Sequence, residues 1–200
     1  MDLNQYVTQA LTTESRPETI QINLEYLNTI VTLLVAAGNL LDVIKKDSWY
    51  GLPKTEEKLA ARIQKLSESL DNIQIAAAKL PTLTGIDKLE KQELPVDPRI
   101  THGIIGSTTE SVELLEAFQA AVARSEYDKV NLGEELGDIY WYLAIILDAT
   151  GTDWAQVLQT NISKLQQRNK KITEADGFNA SATINRDVVA ERSLLEAQLT

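Results

Sequence analysis

Residues 129–148, KVNLGEELGDIYWYLAIILD, decide the fold. Leu132, Leu136, Ile139, Leu143 and Ile146 recur at helical spacing, and no sustained run in the chain alternates with the period of two that a half-buried strand requires. Working outward, Asp128 precedes the segment as a candidate N-cap, Gly151 follows it as a residue able to take the left-handed closing position, and Thr152 is a candidate cap for the next helix. All five prolines lie before position 99 and glycine is sparse at nine residues, so long stretches carry few helix breakers. The reading is an all-α chain, with helices predicted near residues 2–12, 20–46, 55–80, 100–122, 129–149, 153–169 and 183–197. Between Leu80 and Ile100, PTLTGIDKLEKQELPVDPRI holds three prolines and reads as a connector between two helical halves, 1–95 and 96–200.

Composition narrows the chemistry. The 200 residues contain no cysteine, which excludes a disulfide scaffold, a thiolate zinc site and a cysteine nucleophile. A single histidine excludes a multi-histidine metal site. The net charge of −10 has the wrong sign for gripping a nucleic-acid backbone. A small phosphorylated ligand stays open, because divalent cations held by carboxylates invert the local field. No uninterrupted apolar run approaches about 18 residues, and the start, MDLNQYVTQA, lacks the basic and apolar regions of a signal peptide. The expectation is a soluble cytoplasmic protein with neither nucleic acid nor membrane as partner.

The two halves align with each other. Adding 74 to Leu40, Leu41 and Ile44 gives Leu114, Leu115 and Phe118. Adding 73 to Leu59, Ile63, Leu66, Leu70 and Ile73 gives Leu132, Leu136, Ile139, Leu143 and Ile146, so one residue of loop difference reconciles both offsets.

In the second half, Glu110 and Glu113 form one acidic pair at i, i+3, and Glu135 and Asp138 form another. Both pairs flank the apolar stripe of their helix in the same phase, so antiparallel packing through those stripes brings four carboxylates to the edge of a dry seam. Their mutual repulsion calls for a positive partner, and hard Mg²⁺ or Mn²⁺ accepts carboxylate oxygens while leaving positions for water and phosphate. Glu116 faces away as a surface charge, and Glu134, rotated by one residue, is an outer ligand or a base orienting water.

The ordered set Glu110-x-x-Glu113 and Glu134-Glu135-x-x-Asp138 resembles the ExxE and EExxD signature of MazG-like all-α nucleoside triphosphate pyrophosphohydrolases. HGIIGSTTESVELLEAF, DKVNLGEELGDIYWYLAI and NISKLQQR are similar to that family's blocks over residues 101–169, and INRDVVAERSLLE is similar to tails of its phage and bacterial members. VIKKDSWYGLP in the first half resembles the connector of phage-type members, yet Ala36, Asn39, Arg62 and Lys65 stand where Glu110, Glu113, Glu135 and Asp138 stand. Two neutral and two cationic residues cannot hold Mg²⁺. The resemblance thus implies a tandem, pseudo-dimeric repeat: residues 1–95 as a degenerate partner and 96–200 as the catalytic repeat with a tail helix.

It further implies metal-dependent hydrolysis between the α and β phosphates of a nucleoside triphosphate, giving a monophosphate and pyrophosphate. Glu110, Glu113, Glu135 and Asp138 are then the metal ligands, with Glu110 or Glu113 as general base. Asn161, Lys164, Arg168 and His102 are candidate substrate contacts, Lys164 and Arg168 offering cations to the phosphates from one helix face. Arg62 and Lys65 are weighed as phosphate contacts against exposed helix charge. Trp141 is assigned to the core, while Tyr142 and Phe178 are candidates to meet a base. The expected substrate is a purine deoxynucleotide such as dGTP or dATP, in nucleotide-pool control, with a homodimer as the assembly and the host cytoplasm as the setting if the gene is a phage's. Alternatives are dUTP, phosphoribosyl-ATP, or a helical binding module without catalysis.

Overall fold

Asp128 begins the deciding helix as expected: its side chain accepts from the backbone N–H groups of Val130 and Asn131, at 2.9 and 3.2 Å. Gly151 closes it at φ +65°, the left-handed conformation that glycine adopts without a Cβ penalty. The structure is a computed structural model that describes residues 1–51, 55–78, 90–168 and 187–199. Among these residues there are seven α-helices: α1 (Leu3–Ala10), α2 (Leu24–Tyr50), α3 (Glu56–Ala78), α4 (Pro98–Arg124), α5 (Lys129–Thr150), α6 (Trp154–Arg168) and α7 (Val188–Leu199). A 3₁₀ turn, Leu11–Thr13, extends α1, and two short strands, β1 (Gln21–Ile22) and β2 (Gln92–Glu93), pair antiparallel with Gln21 opposite Glu93. The all-α reading holds.

Local chemistry moves some boundaries. α2 starts later than expected because Asn23 caps it, accepting from Tyr26 N–H at 2.7 Å, and the residues just before it pair as a strand. α4 starts earlier, since Asp97 caps it and Pro98 supplies a ready-made first turn. The cap of α6 is Asp153 rather than Thr152: its carboxylate accepts from Gln156 N–H at 3.1 Å, while the Thr152 hydroxyl turns to Thr150. The first residues expected of the last helix, and most of the central connector, lie outside the described residues.

The chain divides into two compact units. The described residues of one are 20–51, 55–78 and 90–94, in which α2 packs against α3. Ala36, Val43 and Ser69 are buried there, and the Arg62 guanidinium donates to the Asn39 carbonyl while standing 4.0 Å from Asp42. α2 is long and apolar enough in composition to cross a membrane, and Val31, Leu34, Val35, Leu41 and Ile44 on it are exposed.

The described residues of the other unit are 1–19, 95–168 and 187–199. α4 and α5 form an antiparallel hairpin around Ala121, Ala144 and Ile145; burying Ile145 completely contributes roughly 1.5–3 kcal/mol. Gly103 and Gly106 let the two helices approach: a Cβ on Gly103 would stand 2.4 Å from Ile146 Cγ1, and one on Gly106 only 2.0 Å from Tyr142 Cε1. α1 lies along α5, where Trp141 Nε1 donates to Ala10 O and Thr13 Oγ1 at 3.2 and 2.9 Å. Arg99 ties this arrangement together, donating to both Glu14 oxygens at 2.6 and 2.8 Å and to Asp148 at 2.6 Å. α7 packs on α6, joined by the bidentate Arg168–Glu191 pair at 2.9 and 3.1 Å.

Candidate metal centre

Of the four carboxylates expected to converge from α4 and α5, three lie together. Ligand oxygens of Glu110, Glu135 and Asp138 lie within 4.8 Å of one another, drawn from two helices of the same hairpin. Glu113 stands outside that tightest group but inside its field: its carboxyl is raised from the ordinary value, first by Glu135 and then by partial burial. Glu110 is raised too, by burial first and by Glu113 next. The Tyr142 hydroxyl, held over Gly106, shares the field and is raised by burial and then by Glu110, Asp138 and Glu113. These are the signatures of like charges confined together.

What holds them is local. Asn131, one turn before Glu135, donates through Nδ2 to Glu135 Oε1 at 2.7 Å, so a carboxylate only 5 % exposed keeps a partner for one oxygen. Thr109 Oγ1 reaches Glu110 at 3.3 Å. Sequence reasoning missed Asn131, although its i, i+4 spacing to Glu135 was the available signal. Among the described residues no Lys or Arg forms an ion pair with any of the four carboxylates. The donor set therefore fits a hard divalent cation: oxygen ligands, excess negative charge and two rigid helices to fix them.

In the other unit, Arg62 donates to the carbonyl of Asn39, the two positions that the sequence offsets set against Glu135 and Glu113. Helix bounds keep the offsets found in the sequence: α2 and α4 are both 27 residues long and start 74 apart, while α3 and α5 start 73 apart.

The remaining expected site residues are placed as follows. His102 packs edge-on against Trp141 and Tyr142, with ring centroids 5.9 and 5.4 Å away. Asn161 and Lys164 stand on α6, Asn161 exposed and Lys164 half-buried. Arg168, on the same helix, is bound at both nitrogens by the buried Glu191 of α7. Glu116 and Glu134 are exposed, and Lys65 is exposed on α3. Phe178 lies outside the described residues.

Searches of curated proteins and of solved structures each return no match. Residues 102–173 match the family model described as the MazG nucleotide pyrophosphohydrolase domain, a span that contains all four carboxylates together with Asn161, Lys164 and Arg168. Over those residues, about a third of the chain, the protein is similar to the MazG nucleotide pyrophosphohydrolase domain.

Proposed function

We propose that the protein hydrolyses a purine deoxynucleoside triphosphate, such as dGTP or dATP, to the monophosphate and pyrophosphate, as a cytoplasmic enzyme of nucleotide-pool control. The observation that supports the hydrolytic chemistry is the convergence of Glu110, Glu135 and Asp138 within 4.8 Å, inside the matched span. These three and Glu113 would hold Mg²⁺ or Mn²⁺, which when bound supplies charge neutralisation for the triphosphate and acidifies bound water.

The chain's own groups do the rest. Glu113 is exposed and its carboxyl is raised, which suits it to accept a proton from water; Glu110 is the other candidate. The water oxygen forms a bond to the α phosphorus, the bond from that phosphorus to the bridging oxygen breaks, and pyrophosphate departs with the electron pair. Asn131 keeps Glu135 oriented. Lys164 supplies a cation to the phosphates, and Arg168 joins it on exchanging its bond to Glu191 for a phosphate oxygen. The first half serves as a partner-like repeat without a site, which the Arg62–Asn39 bond supports. Exposed Leu115, Phe118, Val122 and Leu136 support a homodimer.

Glu113→Gln and Asp138→Asn test the reading. Turnover of dNTPs should fall at least about 100-fold in each while far-UV circular dichroism keeps its helical signal. A helical module without catalysis would show no turnover in the wild type.

A further inference from the structure

Glu135 is the most deeply set of the four carboxylates. It is 5 % exposed, whereas Glu110 is half-buried and Glu113 and Asp138 are exposed. Its ligand oxygen lies within 4.8 Å of those of Glu110 and Asp138, so like charge drives the side chain toward rotamers that point away from the cluster. A glutamate has the torsional freedom to follow that push unless a neighbour holds it.

Among the described residues Asn131 supplies the side-chain hydrogen bond that Glu135 receives, from Nδ2 to Oε1 at 2.7 Å. The donor is itself fixed: Asn131 lies in the first turn of α5, and its backbone N–H is held by the Asp128 cap at 3.2 Å. Donor and acceptor therefore stand one turn apart on one helix whose start is pinned. Asparagine is a poor helix former, and its side chain ordinarily competes for nearby backbone groups. Here it reaches forward to a carboxylate instead. A lysine or arginine at the same i, i+4 spacing would pair with Glu135 and cancel the charge that a cation needs, whereas a carboxamide donates and leaves that charge in place.

We propose that Asn131 is a positioning residue of the cation site: by holding Oε1 it keeps the Glu135 carboxylate facing Glu110 and Asp138, and so sets the affinity of the cluster for Mg²⁺ or Mn²⁺ before any nucleotide arrives. The inference rests on the metal reading given above and adds to it a residue that touches neither the cation nor the substrate. Its physical basis is preorganisation: the glutamate is ordered when the helix forms, and the cation meets a ligand already in place. Partners that orient a metal ligand in this way carry about 10–100-fold of the metal affinity.

The test is the Mn²⁺ affinity of the full chain without nucleotide, read from the free-Mn²⁺ signal in electron paramagnetic resonance. Asn131→Leu keeps the branch at Cγ, removes the donor and improves helix propensity. Its dissociation constant for Mn²⁺ should rise at least about 10-fold while far-UV circular dichroism keeps its helical signal. The Mg²⁺ concentration for half-maximal dNTP turnover should rise by a similar factor, with kcat at saturating Mg²⁺ changed less. Asn131→Ala makes the same test should the leucine variant lose its helical signal. Mn²⁺ affinity equal to wild type in a folded variant, whatever its melting temperature does, would reduce Asn131 to a structural role and overturn the proposal while leaving the metal centre standing. Mn²⁺ binding that Asn131→Leu weakens, in a wild type that turns over no dNTP, would uphold the positioning and overturn the reaction. A wild type that binds no Mn²⁺ would overturn both the positioning and the metal reading.

Discussion

Gly106→Ala should destabilise the protein, although the same change at Gly133, on the partner helix, should stabilise it. A Cβ at Gly106 falls 2.0 Å from Tyr142 Cε1 and 2.3 Å from both Cδ1 and Cζ, whereas one at Gly133 meets nothing within 4 Å. The ring would have to retreat by about 1 Å or more to restore ordinary contact. It cannot do so freely, because His102 and Trp141 pack edge-on against it at centroid distances of 5.4 and 4.9 Å. Overpacking this deep costs about 3 kcal/mol, and alanine's better helix propensity returns about 1 kcal/mol, leaving a net loss of about 2 kcal/mol. For a chain of this size that lowers Tm by about 4–8 °C, while Gly133→Ala raises it by about 2–4 °C. Thermal unfolding followed by circular dichroism reads both. A Gly106→Ala protein as stable as Gly133→Ala would refute the close approach of α4 and α5.

Other perturbations have equally definite outcomes. Saturating Mg²⁺ or Mn²⁺, at about 100 times its dissociation constant, should stabilise the wild type by about 2.7 kcal/mol, and Asp138→Asn should lose most of that gain; an equal shift in both would remove the cation from this cluster. Glu14 is raised by burial but lowered further by its bonds to Arg99 and Arg16, so its folded value lies below the ordinary 4.5. Its contribution is fully present above that pH and is lost as pH falls through the folded value, so Glu14→Gln should flatten the acid limb of a Tm-against-pH curve; an unchanged limb would contradict the pairing. Arg168→Ala, which removes two charge-assisted hydrogen bonds to Glu191, should cost about 2 kcal/mol in urea unfolding, and Arg168→Lys should recover only part because the fork is gone; a loss under about 0.5 kcal/mol would show α7 to be anchored otherwise.

Helical phase made much of this legible in the chain. Residues at i, i+3 on two helices share a face whatever surrounds them, so Glu110, Glu135 and Asp138 could be brought together from spacing alone. Phase does not set depth, and Glu113 therefore sits beside the tightest group rather than in it. The paired glycines of HGIIG were visible as a motif, but their reason is the Tyr142 ring and Ile146 of a helix some 40 residues on. Tyr6 and Trp141 reach partners 131 residues away, and local patterning carries no record of such contacts. That is why the place of α1 on the unit that holds the cluster emerged only from the structure. Arg168 illustrates the same limit: its helix face was readable, its bond to Glu191 was not.

The most direct test is product analysis by anion-exchange chromatography after incubation with Mg²⁺ or Mn²⁺ and each common NTP and dNTP, including dUTP, beside a chelator control. The account predicts monophosphate and pyrophosphate from a narrow set led by a purine deoxynucleotide, and no product with chelator present. Diphosphate and orthophosphate as products, or turnover that persists in excess chelator, would contradict it.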